Sequence, residues 1–247
     1  MSKLSDLIRK ASRPEPAPLG FAARAVGGGK PTLLVIVRLS SGDAGKADEA
    51  TKKGADAVII EGADAGRVKD AIAKAGSVVL GARPSHSDRK AVVAMRDAGA
   101  DFVILEPESA SAEATLEEKI GFVLDHRGDA DDTDLRLLGD LGLDAMIVAS
   151  PPERLTLAEL LKIRRIAALT RVPLLVAVKH DSESGYLHAL RDSGVAGVIV
   201  DSSAIGKLGD LRVRIESLPA RGRRREERAE AVLPAATPGH DEDFDDD

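Results

Sequence analysis

From residue 31 to residue 218 the chain repeats one theme. A short run of Val, Ile and Leu follows Gly or Pro, and a polar, alanine-rich stretch with helical periodicity comes next. The apolar runs cover 33–37, 57–60, 78–80, 102–105, 122–124, 145–148, 174–178 and 198–200, and a longer step precedes the seventh. They are continuous rather than alternating, which predicts strands covered on both faces, as in a parallel sheet. The stretches between them, such as 44–53, 65–75, 88–98 and 156–169, are amphipathic enough to coat that sheet.

A second regularity sharpens the count. Four even-numbered runs share an entry: Gly54-Ala-Asp-Ala-Val, Gly99-Ala-Asp-Phe-Val, Gly142-Leu-Asp-Ala-Met and Gly194-Val-Ala-Gly-Val. The glycine suits a left-handed cap that ends the preceding helix. The repeating unit is therefore a (βα)₂ pair used four times, which favours a single closed (β/α)₈ barrel over an open, doubly wound sheet. On these features residues 31–218 resemble the TIM-barrel superfold. The nearest likeness is to small barrels that bind phosphorylated metabolites, such as thiamine phosphate synthase and the tryptophan synthase α subunit. Residues 1–30 form an N-terminal extension with a short helix over 3–12, read as a cover for the barrel's N-terminal face or as a partner-binding element.

Charge adds a third segment. The net charge of the 247 residues is −6. Residues 219–247 carry five Arg against nine Asp and Glu, so they supply −4 and leave the remainder at −2. This segment opens Arg221-Gly-Arg-Arg-Arg225 and ends Asp241-Glu-Asp-Phe-Asp-Asp-Asp247. It holds too little apolar surface to offset the entropy of ordering, and we expect a disordered acidic tail. Its last seven residues, 241–247, with Phe244 between acidic flanks, are a candidate contact for a protein partner. An acidic chain with 2% aromatic residues is a poor fit to nucleic acid. No run is long enough to span a membrane, no secretory leader is read at the start, and there is no Cys. A cytoplasmic location is expected, and no Gly-rich nucleotide motif or other feature calls for a cofactor.

Chemistry in this fold gathers at the C-terminal ends of the strands. The residues just past the runs are Arg38, Glu61, Arg83, Glu106, Asp125-His126-Arg127, Ser150, Lys179-His180 and Asp201. Such charges form either a ring of salt bridges or a site. As a site, Arg38 and Arg83 would bind an anionic metabolite together with Ser202 and Ser203, whose Ser-Ala-Ile sequence resembles a phosphate loop. Lys179, Glu106, Asp125 and His126 would be the catalytic groups of a lyase or isomerase acting on a phosphorylated or carboxylated substrate. Glu61, Glu106 and Asp201, with His126 or His180, are a weaker alternative as metal ligands, and no metal is assigned. The other function class is a non-catalytic barrel, a scaffold or regulator that recruits a partner through its tail.

Overall fold

The computed structural model describes residues 2–12, 33–76 and 78–219. Helix α1 (Lys3–Ser12) comes first. Strands β1 (Leu34–Ser40), β2 (Ala57–Ala63) and β3 (Val79–Pro84) follow, separated by helices α2 (Ala47–Lys52) and α3 (Ala65–Ala75). Helix α4 (Arg89–Asp97) leads to β4 (Phe102–Leu105) and β5 (Gly121–Asp125). The remainder is α5 (Asp132–Gly139), β6 (Ala145–Val148), α6 (Leu157–Thr170), β7 (Leu174–Ala177), α7 (Ser184–Asp192), β8 (Val195–Asp201) and α8 (Leu208–Glu216). Each strand pairs in parallel with the next, and β8 pairs with β1 through Val35–Val198 and Ile36–Ile199, so the sheet closes. This is the expected single (β/α)₈ barrel. The acidic tail from residue 220 on and the rest of the N-terminal extension lie outside the described residues.

One unit departs from the pattern. The connection from β4 to β5 holds a short 3₁₀ turn, Ala112–Leu116, where the others hold an α-helix. It begins Glu106-Pro107, where Pro107 has no backbone donor to give. The glycine entries behave as the sequence predicts: Gly54, Gly99, Gly142 and Gly194 all have positive φ, from 70° to 109°. Helix starts are capped from the sequence as well. Asp64, Asp88 and Asp131 accept backbone amides of α3, α4 and α5, and Thr156 with Glu159 forms a capping box on α6.

Alternate strand residues divide into two buried layers. Val35, Val37, Val58, Ile60, Val103 and Val198 face the helices. Leu34, Ile36, Ile59, Val79, Phe102, Ile104, Val123, Ile147, Leu175 and Ile199 fill the barrel. Gly81 is where the interior admits Phe102: a Cβ there would stand 2.1 Å from the Phe102 ring. Gly81→Ala must displace that ring, and we expect a loss of about 1–3 kcal/mol. Urea denaturation checks this, and an unchanged midpoint would mean that the ring has room to move.

The same layer runs out at the barrel's N-terminal end, where α1 closes it. Leu4 and Ile8 are buried among the interior residues, and Asp101 accepts the Lys3 and Leu4 backbone amides at 2.8 and 2.9 Å. Ser2 donates its hydroxyl to Asp144 at 2.7 Å. Helix α1 thus covers the N-terminal face. Two aspartates of the repeated entry, Asp101 and Asp144, hold its start, while Asp56 instead accepts the Val35 amide and pairs with Arg212.

Candidate functional site at the barrel mouth

Two residues beyond the apolar interior layer, the inward positions of successive strands become charged: Arg38 on β1, Glu61 on β2, Arg83 on β3, Glu106 after β4, Asp125 on β5 and Asp201 on β8. A continuous apolar strand hides this parity, because both faces read the same. Register then makes the charges meet. Arg83 stands beside Glu61 in the β2–β3 pairing, and Arg38 beside Asp201 in the β1–β8 pairing.

Arg83 is the hub. Its Nη1 donates to Glu106 Oε1 at 2.5 Å and its Nη2 to the Asp125 carboxylate. Its Nε lies 2.8 Å from Glu61 Oε2, close enough for an ion pair though out of line for a hydrogen bond. One guanidinium thus engages carboxylates from β2, β5 and the β4 end, with its side chain only 15% exposed. Asp125 is 4% exposed and also accepts Arg127 Nε and Nη2, both at 2.8 Å. Burial pushes the Asp125 carboxyl up, but hydrogen bonds from Arg127 and Arg83 outweigh it and hold the group below its ordinary 3.8. The Asp125 hydrogen bond raises the Arg127 guanidinium in return. Two cations and three carboxylates share the centre. The room left between Arg38, Glu61, Arg83 and Arg127 amounts to about 10 Å³, one water-sized space.

The linkage has a definite sign. A carboxyl with a lower pKa folded than unfolded contributes its full stability above the unfolded value and loses it as pH falls through the folded value. Asp125→Asn should therefore cost more stability at pH 7 than at pH 3. Denaturation midpoints at the two pH values read this directly, and an equal cost at both would detach Asp125 from its arginines.

The structure brings Arg83, Glu106 and Asp125 together, and keeps the other candidates apart. Arg38 is held by Asp201 through Nε at 3.1 Å and Nη2 at 2.8 Å. Lys179 pairs with Glu153 on the exposed rim, and that hydrogen bond raises its pKa above 10.5, away from what an amine nucleophile or proton shuttle needs. His126 follows Asp125 in sequence but points the other way. It lines a cleft of about 280 Å³ at the helix layer with Ile163 and Ile166, and its buried Nε2 has no hydrogen-bond partner among the described residues. Ser202 reaches Asp43 Oδ2 at 3.4 Å, and Ser203 is exposed at the start of a 3₁₀ turn, Ser202–Lys207.

Sequence reasoning missed Glu153 as the partner of Lys179, Asp43 beside Ser202, and Arg127 as the second cation on Asp125. Only the last carried a signal: residues two apart on a strand share a face. Among the described residues no group of three or more His, Asp or Glu side chains is arranged to hold a metal ion. The carboxylates once weighed as ligands, Glu61, Glu106 and Asp201, are taken up by Arg83 and Arg38. A larger cleft of about 650 Å³ opens over the ends of β6, β7 and β8. Lys179, Arg154 and Tyr186 share it with Glu153, Asp181, Glu183 and Asp201. Burial raises the Tyr186 hydroxyl pKa, and nearby Glu159 and Glu153 add to the effect.

Fold and site together define a closed parallel βα barrel with an ion-paired mouth. No protein-family model matches the chain, and no curated protein does. Solved structures do. A variant of the tryptophan synthase α-subunit from the hyperthermophile Pyrococcus furiosus superposes with a TM-score of 0.58 at 17% identity, covering 75% of this chain and 97% of that one. A second variant gives 0.59 at 17%, over the same shares. The likeness read from the sequence therefore holds at the level of fold. At this identity it shows the fold alone.

Proposed function

We propose that this chain is a non-catalytic barrel, a cytoplasmic scaffold or regulator that recruits a protein partner, with residues 241–247 as its contact. The observation that carries this reading is the occupation of Arg83 by Glu61, Glu106 and Asp125. A small anionic metabolite bound at the axis would have to replace three carboxylates there, and Asp201 at Arg38, in a space of about 10 Å³. Stripping these carboxylates from the arginine is costly, because each would be left as an uncompensated charge.

The test is a thermal-shift titration of the full chain with phosphate, phosphosugars, small carboxylates and divalent metals. A genuine ligand at a hundred times its Kd adds about 2.7 kcal/mol, or several degrees for a domain of this size. We expect no such rise. Deleting residues 220–247 should abolish cross-linking to the partner while leaving the melting temperature in place. A rise with one anion that disappears in Arg83→Ala would overturn the scaffold.

The cleft over β6, β7 and β8 favours a second reading, an enzyme of lyase or isomerase type. In that reading Arg38, Arg83, Ser202 and Ser203 hold an anionic substrate and Lys179, Glu106, Asp125 and His126 move protons, and of these eight Lys179 is the one that lines the cleft. Against it stand Asp181, Glu183 and Asp201, which line that cleft and repel an anion. Under this reading Lys179→Met removes turnover, whereas the scaffold reading predicts no effect on partner capture.

A further inference from the structure

A cleft of about 700 Å³ opens at the N-terminal face, opposite the mouth. It is lined by the ends of α6 and α7, by Ser12 at the end of α1, and by residues leading into β7 and β8, Pro173 and Gly194 among them.

Its charge is one-sided. Arg164, Arg171 and Arg191 line it against one carboxylate, Asp192. Asp192 is already taken: Arg191 Nε donates to its Oδ1 at 2.9 Å, and His188 Nε2 lies 3.1 Å from its Oδ2. The fully buried Arg191 side chain also donates Nη1 to the Pro219 carbonyl. Arg164 and Arg171 are exposed, and among the described residues neither guanidinium has a partner. Arg171 stands where a helix end usually carries glycine. It caps α6 at φ 56°, the one non-glycine residue with positive φ among those described. Glycine would adopt that conformation without strain, so the arginine brings its side chain there at a cost.

Apolar surface lies beside the charge, since Ala167, Ala168, Val172, Pro173 and Ala196 line the same cleft. The chemistry that fits is a short acidic segment with one apolar anchor. The chain carries such a segment, and it is tethered at this place. Residues 241–247 hold six carboxylates around Phe244. The described chain ends at Pro219, whose carbonyl is bonded to Arg191 of the cleft. Asp241 lies 22 positions further on, and a flexible chain of that length spans about 25 Å on average. Such a tether sets an effective concentration in the millimolar range, so even weak docking is populated. Residues 13–32 also start at the cleft, after Ser12, but with three cations and one carboxylate they match the arginines in sign.

We propose that residues 241–247 dock in this cleft of their own chain, Phe244 against Val172 and the alanines, and the flanking carboxylates on Arg164 and Arg171. Hydrogen bonds between guanidinium and carboxylate are the strong, charge-assisted kind. A docked segment is covered, so the partner capture proposed above for the same residues requires its release. Docking does not itself depend on that reading.

The chain has no cysteine, so Ser12→Cys carries a single nitroxide label at the cleft. Paramagnetic broadening of backbone amides in the full chain then reads the path of residues 220–247. We expect a second maximum at 241–247, above the values at 229–236, although these lie nearer the tether in sequence. Arg164→Glu with Arg171→Gly should abolish that maximum at an unchanged melting temperature, since residue 164 is exposed and glycine suits the cap. Phe244→Ala and about 0.5 M NaCl should each weaken it. Broadening that declines steadily from residue 220 overturns the proposal, because it describes a tether without a dock. So does a maximum indifferent to the two arginines, which would place the segment elsewhere. Broadening that passes only between labelled and isotope-labelled chains in a mixture would put a second copy's segment in the cleft, and the intrachain dock would fall. A failure of partner capture leaves all these readings as they are, so the two proposals fall separately.

Discussion

Replacing Arg83 by Ala should lower the stability of the barrel by about 3 kcal/mol at pH 7, near the lower end of what breaking a buried ion pair costs. The loss comes less from the missing attraction than from what stays behind. Glu61, Glu106 and Asp125 would face one another across the barrel axis, with Arg127, among the described residues, as the one cation still bonded to Asp125. The lower end applies because Glu61 and Glu106 are 30% and 52% exposed, so water screens part of their repulsion. For a domain of this size the change amounts to roughly 6–12 °C in melting temperature.

The pH dependence distinguishes this cause from simple loss of packing. Crowded like charges raise carboxyl pKa values, so the folded variant takes up protons more readily than its unfolded chain. Its stability must then improve as pH falls toward the unfolded values near 4. The native protein moves the other way there, because Asp125 is held low by its arginines. The two stability curves should converge in acid. A constant gap from pH 7 to pH 4 would show that Arg83 acts through its aliphatic stem, and a gap under about 0.5 kcal/mol would mean that the ring is not structural.

The barrel was legible in the sequence for a physical reason. Strands buried on both faces must be apolar throughout, and each must be followed by a surface helix, so the alternation shows without any tertiary information. The same property hid the site. Since 33–37 or 102–105 reads identically on both faces, nothing in the run says which end residue turns inward. Asp125 and His126 are adjacent, yet one meets Arg83 at the axis and the other sits in the helix layer. Pairing between distant residues is equally silent: Lys179 and Glu153 are 26 positions apart and meet only through two connections. The missing α-helix after β4 was not legible in the sequence, which predicts a βα unit there like the others; the connection is as long as the one from β2 to β3, which holds α3.

The repeated Gly-x-Asp entry held more than its glycines suggest, and this leads to the second large effect. Leu4→Ala should destabilise the protein by about 2–5 kcal/mol, the range for a leucine removed from a packed interior. Leu4 is fully buried, and it closes the open end of the layer formed by Leu34, Val79, Phe102 and Ala196. A ten-residue helix is only marginal alone in water, so α1 exists because it docks. Its N-terminal amides, which no helix can satisfy internally, are given to Asp101. Helix formation, amide satisfaction and closure of the core are therefore one event. Leu4→Ala and Asp101→Ala should consequently be non-additive: once either change frees the helix, the other has little left to remove. A double-mutant cycle by urea denaturation measures this, with protease cleavage within α1 as a second readout. Strict additivity, or an unchanged unfolding midpoint in Leu4→Ala, would mean that the eight strands close their own floor and that α1 merely rests on it.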